Sequence, residues 1–171
     1  MATPEGSAGD IFCPGGRLRL DVFEPAASDA ITDSLRLARE TRWDSVRSPH
    51  VFMGLLAVPD ENIRNWGERL GADLPKLLAQ FQELFHQEEG EADLPVAPHR
   101  EFLSDNVIRL LRDAHQRAVD RGRDRVTSMD LLICLLTAPQ SIVAECFERI
   151  GVTAAKLTEI AVIAEQHGGT A

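Results

Sequence analysis

Six residues able to ligate a metal, His86, Glu88, Glu89, Glu91, Asp93 and His99, crowd into one short stretch of this 171-residue chain. Imidazoles and carboxylates hold zinc when their spacing fixes them around one point, as H-E-x-x-H does on a helix. The stretch HQEEGEADLPVAPHR lacks any such pair and carries a glycine and two prolines. It reads as a solvated acidic linker and not as a metal centre. Cys13, Cys134 and Cys146 form no C-x-x-C pair, and the last two sit in apolar surroundings that suit small buried hydrophobes. The carboxylates Asp33, Asp44, Asp113 and Asp124 fit helix caps and solvated faces better than an acid and base, which need opposed environments. A catalytic His50 would need a nucleophile held at a defined distance, and no nucleophile motif accompanies it. No Gly-Lys pair occurs, so the phosphate-binding loop of an ATPase is absent. The expectation is no catalytic residue, no cofactor and no metal.

Outside these groups, the informative pattern is repetition. SPHVFMGLLAVP, residues 48–59, returns eighty residues later as SMDLLICLLTAP, residues 128–139. In the same register Asp33 falls on Asp113, Ala38 on Ala118, Val46 on Val126, Gly71 on Gly151 and Lys76-Leu77 on Lys156-Leu157. Apolar residues fall on apolar residues between them, as Ile31 on Leu111 and Ile63 on Val143, without an insertion.

Each copy predicts four helices. Ala27, Ala30, Ile31, Ser34 and Ala38 follow 3.6-residue spacing after Pro25. A second helix starts at Ser48, with Pro49 in the first turn where its missing N–H costs nothing, and stops before Pro59. A third runs from about Asp60 to Leu70, with Gly71 as a left-handed terminator. A fourth follows Asp73 and carries Leu74, Leu77, Leu78 and Phe81. A strand is conceivable only at RLRLDVF, residues 17–23. The second helix is apolar almost all round and must be central. A single copy of about 60 residues buries little surface alone. Two copies back to back bury both central helices at a shared seam.

The predicted organisation is therefore all-α: two tandem four-helix repeats packed with pseudo-twofold symmetry. Residues 1–22 form a partly disordered N-terminal extension, 23–86 the first repeat, 87–100 an acidic, proline-containing linker and 101–167 the second repeat. The net charge of −9 repels phosphate backbones, so no nucleic acid is expected. Nothing approaches the ~18 consecutive apolar residues of a membrane span. MATPEGSAGDIF lacks the basic start and apolar run of a secretory signal, and with the odd cysteine count this predicts a cytoplasmic protein.

The doubled pattern resembles the N-terminal domain of the Clp-type AAA+ unfoldases. Phe23, Ala27, Ile31, Ser34, Ala38, Val46, His50-Val51-Phe52-Met53-Gly54-Leu55-Leu56 and Leu70-Gly71 carry it in the first copy. Val107, Leu111, Ala114, Ala118, Gly122, Val126, Leu135-Leu136 and Ile150-Gly151-Val152 carry it in the second. The resemblance spans about residues 23–165. It implies a non-enzymatic module that captures protein or peptide substrates or adaptor proteins, or meets a Clp ATPase, and so regulates or feeds protein unfolding and degradation. With no ATPase present, the extension before the first repeat and the HGGTA end favour a stand-alone chain over an excised domain. An alternative is a protein that sequesters small molecules, such as cyclic peptide antibiotics aimed at the unfoldases.

Candidate partner-binding residues are Phe23, Trp43, Arg47, Pro49, His50, Arg123, Thr127 and Met129. Phe23 and Trp43 are apolar anchors. Arg47 and Arg123 lie in the equivalent loops RWDSVR and RGRDRV, whose guanidinium groups suit carboxylates. His50 and Asp130 occupy equivalent helix starts, as ligand contacts or as polar first-turn residues. Some members of the family hold phosphorylated arginine with acidic residues just before the second helix of each repeat. Pro49 and Met129 stand there, and Thr127 precedes the latter, so the resemblance implies loss of that ligand.

Overall fold

The structure, a computed structural model, describes residues 10–90 and 94–168. The eight predicted helices are all present: α1 Pro25–Glu40, α2 Ser48–Ala57, α3 Glu61–Leu70, α4 Leu74–Leu84, α5 Asp105–Asp120, α6 Ser128–Thr137, α7 Ile142–Glu148 and α8 Ala154–Gly168. The fold is all-α, with isolated bridges and no strand among the described residues. The boundaries follow local chemistry. Asp60 and Asp73 accept from the third N–H of α3 and α4. Gly71 and Gly151 take the left-handed conformation that ends a helix, at φ 76° and 90°. Arg47, not Ser48, is the N-cap of α2, which moves Pro49 one place into the helix where it still displaces no hydrogen bond.

The seam between copies is reciprocal. Glu24 N–H donates to Val126 O and Val126 N–H to Val22 O, both at 2.8 Å. Eighty residues on, Ser104 N–H donates to Val46 O at 3.0 Å and Val46 N–H to Phe102 O at 2.8 Å. Each copy's lead-in thus pairs with the other copy's loop between its first two helices, as a pseudo-twofold axis requires. At the seam α2 packs on α6, and both are buried along nearly their whole length. Phe52, Trp66 and Phe81 from the first copy meet Phe147 from the second, with Phe52 at 6.1, 4.9 and 5.9 Å from the other three rings. The Trp66 indole N–H donates across the seam to Leu157 O at 3.3 Å. One core of buried side chains runs through both repeats, and burial of these large rings is the dominant stabilising contribution.

Two expectations for the flanking segments change. Residues 1–9 and 91–93 lie outside the described residues, but 10–22 are part of the core. Ile11, Phe12, Leu18 and Val22 are buried. Asp10 pairs with Arg112 at 3.3 Å, and the Phe12 ring lies between the Arg100 and Arg112 guanidinium groups at 5.7 and 5.6 Å. RLRLDVF forms a short 3-10 turn, Leu20–Val22, and single bridges in place of a strand. The linker is likewise anchored: Leu94 is buried, Leu18 N–H donates to Pro98 O, and His99 Nε2–H donates to Gly15 O at 2.8 Å.

Candidate functional site

The two equivalent helix starts carry the same duty with opposite chemistry. At α2 the His50 Nδ1 accepts from Arg47 N–H at 2.9 Å, and its Nε2–H donates to Thr41 Oγ1 at 3.0 Å. Thr41 in turn donates to Leu37 O at 2.7 Å. Both ring nitrogens are used, which fixes the neutral Nε2–H tautomer. Burial first, and then the Arg47 charge, push His50 down to about 4. Trp43 packs edge-on to His50 at 5.5 Å, and its indole N–H donates to Phe85 O at 2.6 Å. Arg47 lies over the Trp43 ring at 5.1 Å.

At α6 the buried Asp130 takes the place of His50. Its carboxylate accepts from Arg123 at 2.5 and 2.8 Å, from Arg117 at 2.6 Å and from Thr127 N–H at 2.9 Å. Glu165 closes the network by accepting from Arg117 at 2.8 and 2.9 Å. Burial alone would raise the Asp130 carboxyl, but the Arg123, Thr127 and Arg117 hydrogen bonds outweigh it and hold it below the usual carboxylate range. Hydrogen bonds donated to Glu165 first, and to Asp130, raise Arg117.

The first of these regions borders an open groove. Trp43, Arg47, Ser48, Pro49 and Phe85 line one end, and Ser104 and Asn106 at the start of α5 form its wall. Ile142, 45% exposed, stands at its middle. Ser141 Oγ donates to Leu135 O at 2.6 Å and fixes the loop that presents Ile142. The groove continues past Arg109, Leu110, Asp113 and Cys134. The two hollows measure about 90 and 60 Å³, each the scale of a side chain and far short of the ~300 Å³ that encloses a drug-sized molecule. Trp43 is set by the end of α1. Arg42 adopts a left-handed φ of 68°, and Trp43 N–H returns to Ala38 O at 2.9 Å, the double-bonded helix ending usually made by glycine.

The sequence candidates divide by burial. Phe23, Pro49, His50 and Met129 are buried, so Phe23 is a core residue and not a surface anchor; its ring fills the seam beside the Val126 bridge. Trp43 and Arg47 lie together at the groove. Arg123 and Thr127 are committed to Asp130 on the other copy. Trp66 is fully buried. Ile142, Asn106 and Arg109 were not singled out from sequence. The signal for Ile142 was available: an isoleucine one residue into a short helix, where the other copy has Asn62. Cys134 and Cys146 are only partly buried, but burial raises both thiols, Cys134 to about 11. Among the described residues no cluster of histidine, cysteine and carboxylate could hold a metal. No single described helix is long and apolar enough to cross a membrane.

No protein-family model matches the sequence, and no curated protein matches it. Solved structures do. The N-terminal domain of the chaperone ClpD from Arabidopsis thaliana superposes with TM-score 0.67 at 18% identity, over 88% of this chain and 99% of that one. The Hsp104 N-terminal domain from Candida albicans gives 0.65 at 16%, over 82% and 89%. The N-domain of ClpV from Vibrio cholerae gives 0.62 at 15%, over 85% and 86%. The chain therefore has the fold of the Clp-type N-terminal domains.

Proposed function

We propose that this chain is a non-enzymatic binding module that holds polypeptide in the groove between Trp43 and Ile142. Protein or peptide substrates, an adaptor or a Clp-type ATPase are the partners this reading implies, with a role in regulating or feeding protein unfolding and degradation. The observation that carries it is an open, part-apolar groove at the repeat junction, with a tryptophan locked by its own hydrogen bond and an exposed isoleucine. Rigid aromatic and aliphatic anchors of this kind concentrate binding energy at protein interfaces. One of the similar structures is described as a peptide from the SciI protein of the EAEC Sci1 T6SS, and the ClpD relative is described as protease-associated, which supports a polypeptide ligand here.

The absence of chemistry in this reading rests on the titratable groups. Both His50 nitrogens are occupied and the ring is neutral. The Cys134 thiol is held far above the range of a reactive thiolate. All three cysteines are free thiols, which suits the cytoplasm. Sequestration of small cyclic peptides is less well supported in this groove, because its two hollows, each of side-chain size, do not enclose such a ligand. Positions 49 and 129 carry no carboxylate and are buried, which argues against capture of phosphorylated arginine.

The test is anisotropy of fluorescein-labelled casein, an unstructured polypeptide, titrated with the full chain. Ile142→Glu is expected to weaken binding about tenfold or more, since it places a charge in a desolvated anchor position, while leaving the unfolding midpoint unchanged. Equal binding by wild type and variant overturns the groove assignment.

A further inference from the structure

The groove is chemically unlike its pseudo-symmetric counterpart, and the difference points to a class of ligand. Of the charged side chains lining it, Arg47 and Arg109 are cations and Asp113 is the single acid, in a chain of net charge −9. Arg109 is exposed and makes no ion pair among the described residues. The carboxylate nearest Arg47 is Asp44 at 3.9 Å, itself 90% exposed and so largely solvated. The first turns of α2 and α5, with Ser48 and Asn106, open on the same groove and add potential of the same sign.

The pseudo-symmetric counterpart of the groove reverses this arrangement. Asp29 stands where the groove has Arg109, Asn62 where it has Ile142, and Glu165 where it has Phe85. Its arginines are already spent: Arg117 and Arg123 bind Asp130 and Glu165, and Arg121 lies 3.8 Å from Glu165. Ser128, the equivalent of Ser48, donates to Asp60 Oδ2 at 2.6 Å and is also satisfied internally. One face thus offers exposed cations beside apolar anchors, and the other is neutralised from within.

We propose that the groove selects acidic polypeptide segments, one per chain. An apolar side chain would seat between Trp43 and Ile142, with flanking carboxylates on Arg47 and Arg109, and the pseudo-symmetric face would take none. The inference rests on the reading of the groove as a polypeptide site and adds the chemistry of its partner. The net negative charge opposes it at long range. At physiological salt that field is screened beyond ~8 Å, so the adjacent arginines decide the contact.

The test uses the full chain and two fluorescein-labelled octapeptides with a central Leu-Phe, one flanked by Asp and Glu and the other by Asn and Gln. The acidic peptide is expected to bind about fivefold tighter at 0.15 M salt, the gap closing in 1 M salt, since each exposed ion pair contributes roughly two- to fivefold. Arg109→Gln should weaken the acidic peptide about threefold and leave the neutral one unchanged, while Asp29→Asn should alter neither. Equal affinity for the two peptides, with both lost in Ile142→Glu, overturns the acidic preference and leaves the polypeptide reading standing. No binding of either peptide or of casein overturns both.

Discussion

The starts of α2 and α6 are the same structural position written twice, and they are stabilised by opposite means. His50 completes its cap as a neutral ring with one donor and one acceptor, and its neighbours Trp43 and Phe85 are aromatic. Asp130 completes its cap as a carboxylate that needs two arginines, and its neighbour at the place of Phe85 is Glu165. A neutral cap leaves the surrounding surface free to present apolar groups. An ionic cap draws in every nearby charge and closes its face. One scaffold is written twice, and the difference at five matched positions (37/117, 43/123, 47/127, 50/130 and 85/165) leaves aromatic groups at one helix start and an ionic brace at the other.

The sharpest way to break this comparison is to remove the ionic cap. Asp130→Ala leaves the part-buried Arg117 and Arg123 with only Glu165, and should cost about 3–5 kcal/mol in urea unfolding, the usual penalty for breaking a buried pair from one side. A loss near that of an exposed pair would show the network to be dispensable.

Acid separates the two caps next. The folded-state value of His50 lies below its unfolded value of 6.5, so the unfolded state binds the extra proton. Its contribution is fully present above about pH 6.5 and is lost as pH falls toward 4, by up to about 3 kcal/mol. The Asp130 carboxyl is also lowered, from 3.8, so its contribution is lost only below that pH. Urea midpoints at pH 7, 5.5 and 4.5 should fall for wild type and stay flatter for His50→Gln; parallel curves would contradict the buried neutral cap.

Smaller effects come from the backbone. α1 packs tightly on α2 at Gly54, where a Cβ would meet Ala30 O at 2.2 Å. The other copy has Cys134 at this place, so Gly54→Cys imports the protein's own alternative. It should nonetheless cost about 1–3 kcal/mol by overpacking, read as a lower thermal midpoint. Arg42 holds the left-handed turn that Gly122 makes at φ 73° without a side-chain penalty. Arg42→Gly should raise stability by about 1 kcal/mol, less the loss of the Arg42 hydrogen bond to Glu88 O; a destabilisation would mean that bond outweighs the strain.

Much of this fold was legible in sequence because it is written in burial pattern and punctuation. The register of eighty residues, the prolines and caps at helix starts, and Gly71 and Gly151 all follow from local rules. What was not legible depends on partners distant in the chain. Phe12 joins the common core and is met by Arg100 and Arg112 from far along the chain, and nothing in residues 10–22 announces that. His50 looks like a polar first-turn residue until Thr41 and Trp43 enclose it. The ionic cluster joins positions 117, 123, 130 and 165, and none of these carries a motif. Phe23 reads as a surface anchor for the same reason: its burial goes with a backbone bridge to Val126 of the other copy. The family-level resemblance survived because it too is a burial pattern, which persists at 15–18% identity when contact residues do not.

The most direct measurement uses the two tryptophans as probe and control. In a ¹⁵N-labelled chain titrated with the acidic octapeptide, the Trp43 indole and Ile142 amide resonances should shift and saturate together. The Trp66 indole, in the core, and the Asp130 amide, on the braced face, should stay in place. Shifts centred on Asp130 and Arg123, or none at Trp43, would contradict the assignment of polypeptide binding to the groove between Trp43 and Ile142.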